Sequence, residues 1–146
     1  MSDKRVAVAA WESLFRAQVA VMRKLQAEFP TGELSLNEYD VLLNLSQHED
    51  RRLRIKDLNR RLLLTQPSVS RLIDRLASRG IVSKTSDPAD ARGIVVELTE
   101  PGFSLFRRVA LSHMESIADH VGSCLDDDEL RQLTELTDKI RLREER

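Results

Sequence analysis

The 146-residue chain has one cysteine, Cys124, which excludes an internal disulfide and agrees with a reducing compartment. Long hydrophobic runs are missing too: apolar clusters such as Leu62, Leu63 and Leu64 fall far short of the length that spans a bilayer. No Gly-rich phosphate loop, nucleophile elbow or metal-ligand motif occurs, so nothing in the sequence marks an enzyme. Net charge is nearly absent, with 23 basic and 24 acidic residues and a formal balance of −1, which does not advertise a polyanion-binding protein. Met1 to Arg5 is polar and leads into an amphipathic pattern broken by Glu12 and Arg16, unlike the apolar core of a signal peptide. The expectation is a cytoplasmic protein with no membrane partner. What is present is a globular balance, 41% hydrophobic and 32% charged residues. The length suits one compact domain, or one domain with a helical extension that needs a partner chain.

The near-zero charge conceals a segregation. Between Arg51 and Arg92 there are eleven basic residues against four acidic ones, while the rest of the chain carries twelve basic and twenty acidic. A polyphosphate responds to nearby charge and not to the sum over the chain, so the basic middle suggests a local anion-binding surface. A solvated, salt-bridged helix face is the alternative that charge alone leaves open.

From Val6 to Phe29 the large apolar residues Trp11, Leu14, Phe15, Met22, Leu25 and Phe29 recur at helical spacing, and Pro30, Thr31 and Gly32 end the run. Ser35 followed by Glu38 fits a capping box, opening a helix to about Gln47, with His48 to Arg52 as its exit loop. Ile55, Leu58 and Leu62 support a short helix. The next runs from a cap at Thr65, past Pro67, to a stop at Gly80. Its Val69, Leu72, Ile73 and Leu76 share one stripe, while Ser70, Arg71, Asp74, Arg75 and Ser78 occupy the opposite arc. After Gly80 the period changes. Ile81–Thr85 and Gly93–Leu98 read as strands around a turn from Ser86 to Arg92, a hairpin with a basic tip. Thr99 then caps a helix with Pro101 in its first turn, Gly122 to Leu125 interrupts it, and Asp126 to Glu129 precede a last helix.

Two short helices, the second with a polar front, followed by a hairpin make a winged helix-turn-helix plan. The major groove admits one α-helix, so Gln66, Ser68, Ser70 and Arg71 are candidate base readers. Arg75, Lys84 and Arg61 are placed to hold phosphates. Arg92 is the candidate for a narrow minor groove, with Asp90 able to orient its guanidinium.

From about Leu34 to Gly102 the chain resembles the MarR family of bacterial winged-helix transcription regulators. The resemblance rests on Leu-Thr-Gln-Pro-Ser-Val-Ser-Arg-Leu-Ile-Asp-Arg-Leu from Leu64, Arg-Gly-Ile-Val from Arg79, Asp-Pro-Ala-Asp-Ala-Arg-Gly from Asp87 and Leu-Thr-Glu-Pro-Gly from Leu98. One departure is Leu63, which stands where many relatives have glycine. The resemblance implies a mainly α fold with a small β-hairpin wing: one domain over 1–146, a DNA-binding lobe over 34–100 and a helical dimerisation lobe over 6–29 and 101–144. It implies a homodimer on double-stranded DNA. The broad apolar stripes of the first and last two helices argue for a partner chain independently. Two-fold symmetry would set the recognition helices roughly 34 Å apart, on successive major grooves of a pseudo-palindromic operator.

Members of the family often respond to small aromatic or phenolic anions. Trp11, Asp57 and Arg92 resemble the subgroup that includes urate-responsive regulators, and are the candidate ligand-binding set. The plainer readings are dimer core for Trp11, a helix-dipole role for Asp57 and DNA contact for Arg92. Cys124 follows the fifth helix beside Asp126 to Asp128, an acidic setting that disfavours a thiolate sensor. His113 and His120 lie two turns apart, too distant for easy chelation of one ion, and read as solvated helix residues. No cofactor or metal is expected. A winged-helix module serving only protein contacts is the competing reading, and it would need an apolar front on the recognition helix.

Overall fold

A computed structural model describes residues 3–62 and 66–146, with the side chain of Gln66 undescribed. The expected cap at Thr65, the departure at Leu63 and the Gln66 side chain therefore lie outside the described residues. The element order is α1 (Lys4–Glu28), α2 (Leu36–Ser46), β1 (Arg52–Arg54), α3 (Ile55–Arg61), α4 (Gln66–Ser78), β2 (Val82–Asp87), β3 (Asp90–Leu98), α5 (Glu100–Ile117), a π-helical turn (Ala118–Gly122) and α6 (Asp127–Glu144). Two compact units result, one of Phe29–Ser112 and one of Met1–Glu28 with His113–Arg146. The boundary expected at residue 101 falls at 112, because Leu105, Phe106, Val109 and Ala110 of α5 join the core of the first unit.

That core is apolar and continuous. Val41, Leu42 and Leu45 of α2, Leu58 of α3, Val69, Ile73 and Leu76 of α4 and Val96 of β3 have no exposed surface. Burying each such side chain stabilises the fold by about 1.5–3 kcal/mol, against about 0–1 kcal/mol for an exposed ion pair, so packing sets the orientation of α4. Tyr39 stacks on Phe106 with ring centroids 5.3 Å apart and meets Phe29 edge-on at 5.5 Å. The capping box of α2 is formed: Glu38 N–H donates to Ser35 Oγ at 3.1 Å, and Ser35 N–H donates to Glu38 Oε1 at 2.8 Å.

The sheet has three antiparallel strands in the order β1-β3-β2. β1 lies partly in what reads as an exit loop, because it is defined by distant pairing: Arg52 with Glu97, Leu53 with Val96 and Arg54 with Val95. Arg51, at φ 55°, turns the chain into β1. Its carbonyl accepts from Leu98 N–H at 2.9 Å, and its guanidinium lies 3.6 Å over the Phe103 ring and 3.3 Å from Glu100 Oε1. The hairpin is longer than expected, with Asp87 paired to Asp90 around a two-residue turn at Pro88 and Ala89. The register shifts between Ser86 and Asp87, so Ala91, Arg92 and Gly93 form an irregular stretch of β3.

α4 ends in a Schellman arrangement. Gly80, at φ 73°, donates to Ala77 O at 3.0 Å, and Ile81 N–H donates to Leu76 O at 3.0 Å. Thr99 caps α5 as expected, its Oγ1 accepting from Gly102 N–H at 3.1 Å, and the same hydroxyl lies 2.7 Å from Gly80 O and 2.9 Å from Ile81 O. A Cβ at Gly102 would stand 2.0 Å from Ile81 O, so backbone approaches backbone where only glycine fits.

In the other unit Asp126 and Glu129 form a second capping box that opens α6, with Asp127 and Asp128 in its first turn. α6 has no buried residue, and α1 has only Leu25. Trp11, Phe15, Met114, Leu136 and Ile140 are more than half exposed.

Gly102→Ala is expected to lower unfolding stability by about 1–3 kcal/mol, as overpacking against a fixed backbone does. Urea denaturation of the variant against the parent protein checks this; equal midpoints would show that α5 can shift freely.

Candidate nucleic-acid interface

The charges of the basic middle divide into two groups. Six of its eleven cations are committed to carboxylates: Arg51 to Glu100, Arg52 to Glu97, Arg54 to Asp87, Arg60 to Asp57, Arg79 to Glu38 and Lys84 to Asp74. Among the described residues the other five, Lys56, Arg61, Arg71, Arg75 and Arg92, have no such partner, and all five are exposed. Lys56, in the first turn of α3, joins the candidates through this sorting; nothing in its local sequence separates it from the paired cations.

α4 presents the centre of the surface. Val69, Leu72, Ile73 and Leu76 are buried on one side, and this forces Arg71, Asp74, Arg75 and Ser78 outward. Ser70 is half-buried, as is Ser68, and both lie in the N-terminal half of the helix. The front is polar and cationic, the property that a base-reading helix needs and an apolar docking helix lacks. Lys84, expected among the phosphate contacts, is ion-paired to Asp74, which links β2 to α4.

At the end of the hairpin the basic tip is corrected. Pro88 and Ala89 form the turn, and Arg92 lies within β3, because the ladder extends to the Asp87–Asp90 pair. Asp90 does not orient the Arg92 guanidinium. Its Oδ1 accepts from the Arg92 backbone N–H at 3.0 Å, which shapes the irregular stretch and leaves the guanidinium exposed.

Asp87 organises this hairpin, and the sequence reading gave it no role. Its carboxylate is buried, accepts from Ala89 N–H at 2.9 Å and lies 2.8 Å from Arg54 Nε. Burying a carboxylate is costly unless it is paired and hydrogen-bonded, and here one side chain meets both conditions while tying β1 to the hairpin turn. The local signal was available: an Asp before Pro, bonding two residues on, is an Asx turn.

The candidate ligand residues are distributed over both units. Trp11 is in the helical unit, exposed and 6.0 Å from the Phe15 ring centroid. Asp57 is in the other, 3.8 Å from Arg60, and borders a cleft of about 370 Å³ with Arg52, Arg54, Thr85 and Val95. Arg92 does not line that cleft.

Of the two histidines read as solvated, His113 departs from that reading, while His120 is partly exposed. His113 is buried, and burial holds its imidazole below the ordinary value. His120 Nε2 lies 2.8 Å from Glu28 Oε1, and this hydrogen bond lowers the Glu28 carboxyl below its ordinary value. Among the described residues no group of three or more His, Cys, Asp or Glu could hold a metal ion, and no helix is long and apolar enough to cross a membrane. Cys124 is exposed.

Comparison with known proteins matches the same stretch. The sequence model of the MarR family matches residues 33–93, from just before the Ser35 cap of α2 into β3. The HTH-type transcriptional regulator PecS of Dickeya dadantii is 26% identical over 108 residues, 73% of this chain; the chain covers 65% of PecS, just under two thirds of its length. Among solved structures, AbsC, a MarR family transcriptional regulator from Streptomyces coelicolor, superposes with a TM-score of 0.78 at 25% identity, over 98% of this chain and 97% of AbsC. BpsR of Bordetella bronchiseptica, whose DNA binding is regulated by 6-hydroxynicotinic acid, gives a TM-score of 0.74 at 24% identity, over 89% of this chain and 91% of BpsR. With the ordered strings of α4, the hairpin and the Thr99 cap set on this architecture, the chain is similar to the MarR family over residues 33–93 and shares the winged helix-turn-helix fold of AbsC.

Proposed function

We propose that the protein is a sequence-specific double-stranded DNA-binding transcription regulator that acts in the cytoplasm as a homodimeric repressor. The observation that carries this reading is the front of α4, where Arg71 and Arg75 stand exposed without carboxylate partners among the described residues, on a helix whose other face is locked into the core. Arg71, with Ser68 and Ser70 and Gln66 at the helix start, reads base edges. Arg75, Arg61 and Lys56 hold phosphates, and Arg92 enters the minor groove. Release of counterions by these cations makes binding fall steeply with salt.

The exposed apolar faces support the homodimer. Trp11 and Phe15 of α1, Met114 of α5 and Leu136 and Ile140 of α6, all in the helical unit, are each at least half exposed, and exposed apolar side chains of this kind mark an interaction face. A second copy covering these helices gives the two-fold symmetry that a pseudo-palindromic operator matches. A small aromatic anion is the proposed effector, the chemical class to which the regulator of BpsR belongs. Asp57, which borders the cleft of about 370 Å³ and offers a hydrogen-bond acceptor, is a candidate contact.

Arg71→Ala is expected to relax sequence preference at one operator position by about 1–3 kcal/mol, whereas Arg75→Ala weakens binding to all duplexes and makes the salt slope shallower by about 0.9. Fluorescence anisotropy on selected and random duplexes between 50 and 200 mM salt, conditions of about the physiological range, separates the two. Equal losses on both DNAs for Arg71→Ala would remove it from the base readers. Sedimentation at micromolar protein is expected to give a dimer, and a monomer would overturn the assembly. Calorimetry with a panel of aromatic acids and phenols is expected to find one that binds and lowers DNA affinity; a panel without effect would remove the effector.

A further inference from the structure

We propose that Asp74 and Lys84 form a strut that sets the wing against the reading helix and withholds Lys84 from DNA, making Asp74 a positioning residue for recognition. The proposal rests on the reading of α4 as the DNA-contacting helix. Asp74 occupies the exposed arc of α4 between Arg71, three residues before it, and Arg75, one residue after. A carboxylate there faces the phosphates and repels them unless a cation neutralises it. Neither neighbouring arginine does so among the described residues. The cation comes instead from the wing, where Lys84 Nζ pairs with Asp74 Oδ1.

The two ends of this link are both held by the core. Lys84 is the third residue of β2, its backbone in register with Val96, which is fully buried in β3. Asp74 follows Ile73, also fully buried. The pair therefore joins two fixed backbones and sets the spacing between the helix proposed for the major groove and the strand that leads to Arg92. The Lys84 side chain keeps 35% of its exposure and Asp74 keeps 60%, so the pair lies at the surface that meets DNA and is not a core ion pair. A pair that is neutral in the free protein and stays paired on DNA releases no counterion. The net cationic contribution of the surface is then left to Lys56, Arg61, Arg71, Arg75 and Arg92, and the wing cannot add a nonspecific phosphate contact through Lys84.

Three variants test this by the salt dependence of binding to a random-sequence 30-base-pair duplex, a length of about three helical turns, with circular dichroism melting to confirm folding. Asp74→Asn frees Lys84 and is expected to steepen the slope of log K against log salt by about 0.9, one added phosphate contact. Asp74→Asn with Lys84→Met removes both charges and is expected to keep the parent slope while losing preference for a duplex that the parent protein selects from a random pool. Asp74→Lys with Lys84→Asp reverses the strut and is expected to recover that preference. If Asp74→Asn keeps the parent slope and the doubly neutral variant is shallower by about 0.9, Lys84 itself holds a phosphate and the strut is refuted. Failure of the parent protein to bind any duplex would instead overturn the DNA-binding reading.

Discussion

A side chain at residue 102 would bring its Cβ within 2.0 Å of the Ile81 carbonyl oxygen, and the arrangement of the reading unit depends on that contact remaining open. Four chain segments meet there. α4 ends at Gly80 in a left-handed turn, β2 begins just beyond Ile81, β3 ends at Leu98, and α5 starts at the Thr99 cap. The Thr99 hydroxyl lies within hydrogen-bond reach of Gly80 O and Ile81 O while accepting from Gly102 N–H, so one side chain serves carbonyls at the end of one helix and an N–H at the start of the next. With that junction closed, the exit of α4 and both roots of the β2–β3 hairpin have one geometry. The apolar stripe of α4 then determines which of its residues face outward.

Electrostatics acts on this scaffold at two levels. Arg54 with Asp87 and Arg51 with Glu100 and Phe103 hold the strand β1 and the hairpin turn in place, where a buried carboxylate or a left-handed residue needs a partner. The remaining cations have no internal task among the described residues and are free to meet an external polyanion. Formal charge is therefore a poor guide to which cations of this protein are open to an external partner. Lys84 and Arg92 count equally in the sequence and both are exposed, yet one is paired with Asp74 and the other has no carboxylate partner among the described residues.

The helices were legible because their signals are local. Ser35 with Glu38, the stripe from Val69 to Leu76, the glycine stop at 80 and Thr99 ahead of Pro101 all act within a turn or two of themselves, and each appears in the structure as the pattern implies. β1 was not legible. Three residues reading Arg-Leu-Arg become a strand only because Glu97, Val96 and Val95 lie opposite them, more than forty residues later in the chain. The wing turn was misplaced for a related reason: Asp87 and Asp90 have turn composition but are strand residues, since the ladder and the Arg54 ion pair extend the hairpin past the polar signal. His113 looked like a solvated residue and is buried.

The amino-acid sequence by itself determined the resemblance to the MarR family, the order of the helices and the hairpin, and the apolar side of the helices, because periodicity, caps and ordered motif strings are short-range information. Only the tertiary structure decided which cations of the basic middle stand without a carboxylate partner among the described residues. That choice depends on carboxylates brought close from distant positions, Glu100 to Arg51, Glu38 to Arg79 and Asp74 to Lys84, and no spacing rule along the chain encodes such distances.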